Sequence, residues 1–187
     1  MPRRIDTAAL FEVVVQLYAE RGYVGTTTVD IAAAAGIGEV TLYRRWTSKA
    51  GLIAAALTDR LAATPFADLT ETGDVRADLR AIVDAFDATR RAYGGVVTTL
   101  LTEAPRYPDL APALGALVPN LENVGRILAF HQAEGHLIAE NPRQQLALLL
   151  APLIAAGLWQ RAGGPLEFGV DPAGLVDGFL NGHAAGA

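Results

Sequence analysis

Arg44 and Arg45 sit in a run that also holds Thr41, Tyr43, Trp46 and Lys49, the one lysine of the chain. A guanidinium can fork onto O6 and N7 of guanine, a contact worth roughly 1–3 kcal/mol of discrimination. Hydroxyls and an ammonium suit phosphate oxygens, which position a protein without reading sequence. Other chemistry is thinly supplied. Cysteine is absent, which removes disulfides, thiolate catalysis and cysteine metal sites. The imidazoles are His131, His136 and His183; the first two straddle Gly135, with Glu134 and Glu140 as nearby carboxylates, and no metal site is expected there. No paired acid and base stands out in the rest of the chain, so neither an enzyme nor a cofactor is expected.

The elements that must hold these groups follow from spacing. Thr27 is a good helix N-cap, and Asp30 three residues later can reach back to its backbone N–H. Ile31, Ala32 and Ala35 put a small apolar stripe on one face, and Gly36 supplies the left-handed backbone that ends the helix. A second short helix follows from Glu39 to Trp46, with Ile37 and Leu42 able to bury beneath it. Glu39, Val40, Thr41, Arg44 and Arg45 cannot all face inward. A short helix on a footing of small residues, with cationic, hydroxyl and aromatic groups outward, suits a DNA major groove. An earlier helix over residues 6–21 rests on Leu10, Val13, Val14, Leu17 and Tyr18 and closes at Gly22. Ser48 caps a later one that runs to about Ala63.

Gly22-Tyr23, Ile31-Ala32, Ala35-Gly36, Thr41-Leu42-Tyr43, Ser48-Lys49 and Leu52 together resemble the DNA-binding domain of the tetracycline-repressor (TetR) family. The resemblance covers about the first third of the chain. It implies a helix-turn-helix domain over residues 1–48 and a helical regulatory and dimerisation domain over 49–187. It also implies that Arg44, Arg45, Thr41, Val40 and Tyr43 meet bases or phosphates. Lys49, beside the capped helix start, and Thr27 and Thr28 would grip phosphates. Tyr43 has an alternative in packing against the fourth helix. Glu39 either accepts from a cytosine amino group or tilts away from the duplex. Arg3 and Arg4 would sweep an adjacent phosphate or minor groove. Three positions depart from the family pattern: Gly38 removes a serine cap, Gly51 a capping glutamate, and Trp46 replaces a packing phenylalanine.

The net charge of −5 argues against a nucleic-acid binder taken whole, but the distribution softens this. Residues 1–50 carry six Lys/Arg against five Asp/Glu, and the rest nine against fifteen. Binding follows local potential rather than total charge. The remaining sequence is expected to be all helix, about nine helices in total, with a bent connection through Pro105, Pro108 and Pro112. The longest apolar run, Leu146 to Trp159, is interrupted by Pro152 and is too short to span a membrane. With no apolar signal core near its start, the chain is expected in the cytoplasm.

The helix that begins at Asn141-Pro142 carries Leu146, Leu149, Leu150, Leu153, Ile154, Gly157 and Leu158, a stripe too wide for a helix with one side in water. With the last helix, which carries Leu175, Val176, Phe179 and Leu180, it is read as a homodimer interface. The resemblance also implies a pocket for a small, largely apolar effector, with Phe86, Tyr93, Leu100, Ile127, Phe130, His131 and Trp159 as candidate walls and Arg126 as a polar anchor. The leading reading is a repressor whose dimer leaves its DNA operator when the effector binds. A DNA-binding dimer without an effector, an activator, and a helical enzyme that kept the head as a relic are the other readings.

Overall fold

The computed structural model describes residues 6–93 and 95–186; Arg3, Arg4 and Gly94 lie outside the described residues. Those residues form ten α-helices: α1 (Thr7–Gly25), α2 (Thr28–Ala35), α3 (Glu39–Arg45), α4 (Lys49–Ala62), α5 (Val75–Tyr93), α6 (Val96–Glu103), α7 (Ala111–Gly115), α8 (Val118–Ala133), α9 (Pro142–Arg161) and α10 (Pro172–His183). Short 3-10 turns at Pro65–Asp68 and Pro108–Leu110 join them. The all-helical class is as the sequence implies, with one more helix than the nine expected. The addition is α7, inside the proline-rich connection. The next helix, α8, starts at Val118, which puts Pro119 in a first turn where its missing N–H costs nothing. Among the described residues the extended pairing is a single isolated bridge, Leu137 to Ala184.

The chain divides into two compact units, one of residues 1–63 and 93–117 and the other of 64–92 and 118–187. The first unit therefore runs past the domain limit at residue 48 that the family resemblance suggests. The reason is burial. Leu52, Ile53, Leu57 and Leu61 of α4 share one core with Leu10, Val14 and Tyr18 of α1, Ile31 of α2 and Leu42 of α3. Val96 and Leu100 of α6 complete it. Inside α1 the backbone breaks at Gly22 (φ 67°, ψ −173°), a conformation that favours glycine, and resumes to Gly25.

The second unit packs Leu79, Ile82 and Val83 of α5 against Val124, Ile127 and Leu128 of α8, with Leu149 of α9 and Phe179 of α10. Asn123 of α8 donates to the carbonyls of Phe66 and Leu69, at 3.0 and 2.9 Å, and so ties down the first 3-10 turn. His131 is fully buried and lies 2.8 Å from the Asp78 carboxylate, which also accepts from the hydroxyl and backbone N–H of Thr72. Asp78, rather than Glu134 or Glu140, is thus the carboxylate beside that histidine. Burial alone would push the Asp78 carboxyl up, but the hydrogen bonds from Thr72 and His131 hold it below its ordinary 3.8. No helix among the described residues is long and apolar enough to cross a membrane.

A depressed carboxyl contributes stability that is complete above its unfolded pKa and is lost as pH falls through the lower folded value. Asp78→Ala, which strands a buried imidazole, should lower unfolding stability by roughly 3–5 kcal/mol at pH 7. Urea titrations of both proteins should show that gap closing as pH falls below 3.8. A gap under about 1 kcal/mol, or one constant with pH, would contradict this assignment.

Candidate nucleic-acid interface

Seven residues are too few for a helix to stand alone, so α3 takes its orientation from what it buries. Leu42 is 1% exposed and goes into the core beside Ile31. The turn that sets its direction is Gly36 (φ 64°, ψ 32°), whose N–H closes on the carbonyls of Ala32 and Ala33. As the missing serine predicts, Gly38 gives α3 no side-chain cap. At the start of α2 the Thr27 hydroxyl oxygen accepts from the Asp30 N–H at 3.1 Å. The reciprocal half differs from expectation: Asp30 accepts from the Thr27 hydroxyl at 2.7 Å and pairs with Arg21 at 3.2 Å, instead of reaching the Thr27 backbone.

With Leu42 inward, Val40 is 83% exposed, and Tyr43, Arg44 and Arg45 face solvent with it. Thr41 is half-buried. Neither Arg44 nor Arg45 has a carboxylate within 4 Å among the described residues. Arg45 instead lies 5.1 Å over the Trp46 ring, which itself packs on Phe11 at 5.9 Å. Trp46 thus fills the packing role expected of it. The exposed helix face offers two guanidiniums free of acid partners and a phenol.

Two residues have partners that spacing did not reveal. The Thr28 hydroxyl donates to Glu39 at 2.5 Å and lies 3.2 Å from the Tyr43 hydroxyl. Glu39 is therefore engaged at the edge of α2, which favours the reading in which it tilts away. Tyr43 is drawn toward the same threonine, not packed on α4. Lys49 donates to the Tyr23 carbonyl at 2.7 Å, with its ammonium 4.1 Å over the Tyr23 ring. Burial lowers its pKa, and the nearby Glu103 partly offsets this. Glu103 accepts twice from the Tyr23 N–H, at 3.0 and 3.1 Å. So the lysine expected at a phosphate holds the α1 terminus in this structure. No local pattern announces a contact between residues 26 apart in sequence.

Of the pocket candidates, Tyr93 and Leu100 belong to the first unit, the other six to the second. Leu100, Ile127 and His131 are sealed core side chains at 0–2% exposure, with the histidine committed to Asp78. Phe130 sets its ring against His131, while Phe86 is half-buried on α5. Trp159 is 39% exposed and meets Phe168 edge-on. Arg126 is exposed and lines a groove between α8 and α9 whose other walls are different residues.

The sequence profile of the bacterial regulatory proteins of the tetR family matches residues 10–56, the stretch that builds this geometry. Over that stretch the chain is similar to the TetR family's DNA-binding domain. It is 36% identical over 108 residues to a DNA-binding transcriptional repressor TetR of Mycobacteroides abscessus, covering 58% of this chain and 52% of that one. It is 33% identical over 107 residues to an HTH-type transcriptional regulator of Mycobacterium tuberculosis, covering 56% and 51%. The aligned part thus spans about half the length of these curated relatives. Among solved structures, a transcriptional regulator of Rhodococcus sp. Rha1 has the same fold, with a TM-score of 0.71, 20% identity and coverage of 95% and 97%. PfmR, a TetR family regulator from Thermus thermophilus, scores 0.66 at 20% identity, covering 92% and 94%.

An added Cβ at Gly22 would stand 2.6 Å from Glu103 Oε1 in a left-handed backbone, so Gly22→Ala must strain the backbone and displace the Glu103 carboxylate. It should cost at least roughly 1–2 kcal/mol in denaturant unfolding. A neutral result would mean that the Glu103 contact is dispensable.

Proposed function

We propose that this chain is a DNA-binding transcriptional repressor acting as a homodimer in the cytoplasm, released from its operator by a small, largely apolar effector. The observation that carries the reading is the outward face of α3: Arg44 and Arg45 without acid partners, beside Val40 and Tyr43, above a buried Leu42. In a helix-turn-helix domain this face enters the major groove and its arginines meet guanine edges. Thr27 and Thr28, at the start of α2, serve phosphates once DNA draws their hydroxyls from Asp30 and Glu39, as does Lys49 with its remaining donors.

One seven-residue helix offers few base contacts, so specificity calls for two. Along α9, Leu148, Ala151, Pro152, Ala155, Leu158 and Trp159 all remain exposed. On α10 the exposed Ala173, Gly174, Gly178 and Gly182 permit close helix approach. This supports self-association through both helices, giving two half-sites about 34–36 Å apart or a multiple of one turn. An effector that favours one arrangement of the dimer would shift the population away from the operator-binding one.

Selection from random duplex, followed by fluorescence anisotropy, tests the reading. Wild type should enrich a two-fold site with steep salt dependence. Arg44→Ala should lose roughly 1–3 kcal/mol at one base pair of each half-site while keeping non-specific affinity. No enrichment, or an Arg44→Ala site preference equal to wild type, contradicts it. Light scattering at micromolar concentration should give twice the 19.6 kDa chain mass; a clean monomer sinks the dimer.

A further inference from the structure

Val118, Leu121, Leu146, Leu150 and Ile154 form the apolar floor of a half-open groove of about 440 Å³ between α8 and α9. A second groove of about 560 Å³ shares its Leu121, Glu122 and Arg143 and adds Arg126. Each falls within the roughly 300–1,000 Å³ of small-molecule pockets. Val118 and Leu121 remain 47% and 43% exposed at the entrance. The α9 residues involved, Leu146, Leu150 and Ile154, lie on a different helix face from the exposed stripe of Leu148, Pro152, Ala155 and Trp159. Self-association through that stripe therefore does not require this groove.

The charges at its mouth distinguish it from a plain apolar gap. Elsewhere in the same unit, Arg76, Arg80, Arg90 and Arg91 each have an aspartate within 4 Å. Arg126 and Arg143 have no carboxylate within 4 Å among the described residues. Arg126 donates to the Asn123 side-chain oxygen at 2.7 Å, a neutral partner that leaves its charge uncompensated. Glu122 lines both grooves but pairs with neither arginine; Arg143 lines both as well and Arg126 the second alone, so the two adjoining grooves together carry two cations against one anion. In a chain of net charge −5, two unpaired guanidiniums beside an apolar floor are a site for an outside anion.

We propose that this groove binds a small amphipathic carboxylate, with its apolar body on Leu121, Leu146, Leu150 and Ile154 and its carboxylate on Arg143 and Arg126. The site deepens the effector-controlled reading above by giving the effector a location and a charge, and it replaces the sealed Leu100, Ile127 and His131 as the binding surface. Glu122 disfavours a second anionic group, so a monoanion is selected over a dianion.

Isothermal titration of the full chain, without DNA, with decanoate, decanol and decylammonium tests this directly. Decanoate should bind saturably at one site per chain, at least tenfold tighter than decanol, and decylammonium should not bind. Arg126→Ala/Arg143→Ala should cut decanoate affinity at least tenfold and leave decanol unchanged. Leu121→Trp, which blocks the entrance, should abolish binding of both; circular dichroism identical to wild type confirms that each variant is folded. Equal affinity for decanoate and decanol, unchanged affinity in the double variant, or loss of the site on self-association under a second copy would each overturn the proposal. Operator binding is measured separately: a chain that selects DNA but ignores decanoate refutes this site alone. One that binds decanoate but selects no DNA refutes the repressor reading and leaves the site standing.

Discussion

The burial of Leu42 is the constraint on which the rest of the head depends. A seven-residue helix has no stability of its own, and its first turn lacks a side-chain cap. The apolar anchor at Leu42, meeting Ile31 and the α1 and α4 core, fixes together with the Gly36 turn which way α3 faces. Once that side chain points inward, helical geometry leaves Val40, Tyr43 and Arg44 in water, while Arg45, at the last position of α3, lies over the Trp46 ring. The same core explains why α4 and the chain from Tyr93 to Leu117 fold with the head: their apolar residues complete the surface that Leu42 needs.

Polar contacts refine this arrangement rather than create it. Thr28 holds Glu39 at the edge of α2 and so fixes where its carboxylate sits. Glu103 and Lys49 both close on Tyr23, one through its N–H and the other through its carbonyl and ring, at the left-handed break of Gly22. In the second unit, Asp78 and His131 satisfy each other inside the core, a pairing in which neither partner can be removed cheaply.

What was legible in the sequence is what is local. The α2–turn–α3 unit, the Thr27 and Ser48 caps, the Gly36 turn and the outward set on α3 follow from spacings of three and four residues. The packing role of Trp46 followed from the family resemblance, in which a phenylalanine stands at that position. Partners far apart in sequence were not: Lys49 with Tyr23, Thr28 with Glu39, and Asp78 with His131 across 53 residues leave no periodic trace. The sealing of Leu100, Ile127 and His131 was hidden on the same ground. Aromatic and apolar residues at helical spacing look alike whether they seal a core, as Ile127 does, or border open space, as Leu121 does.

The central claim is that Arg44, presented by a helix which Leu42 orients, reads guanine in a major groove. Methylation protection at guanine N7 on a duplex selected by the wild-type chain measures this most directly. Two protected patches related by two-fold symmetry are expected, about one helical turn or a multiple apart, each losing its protected guanine in Arg44→Ala. Protection that persists unchanged in that variant, or selected duplexes with no protected guanine at all, would contradict it.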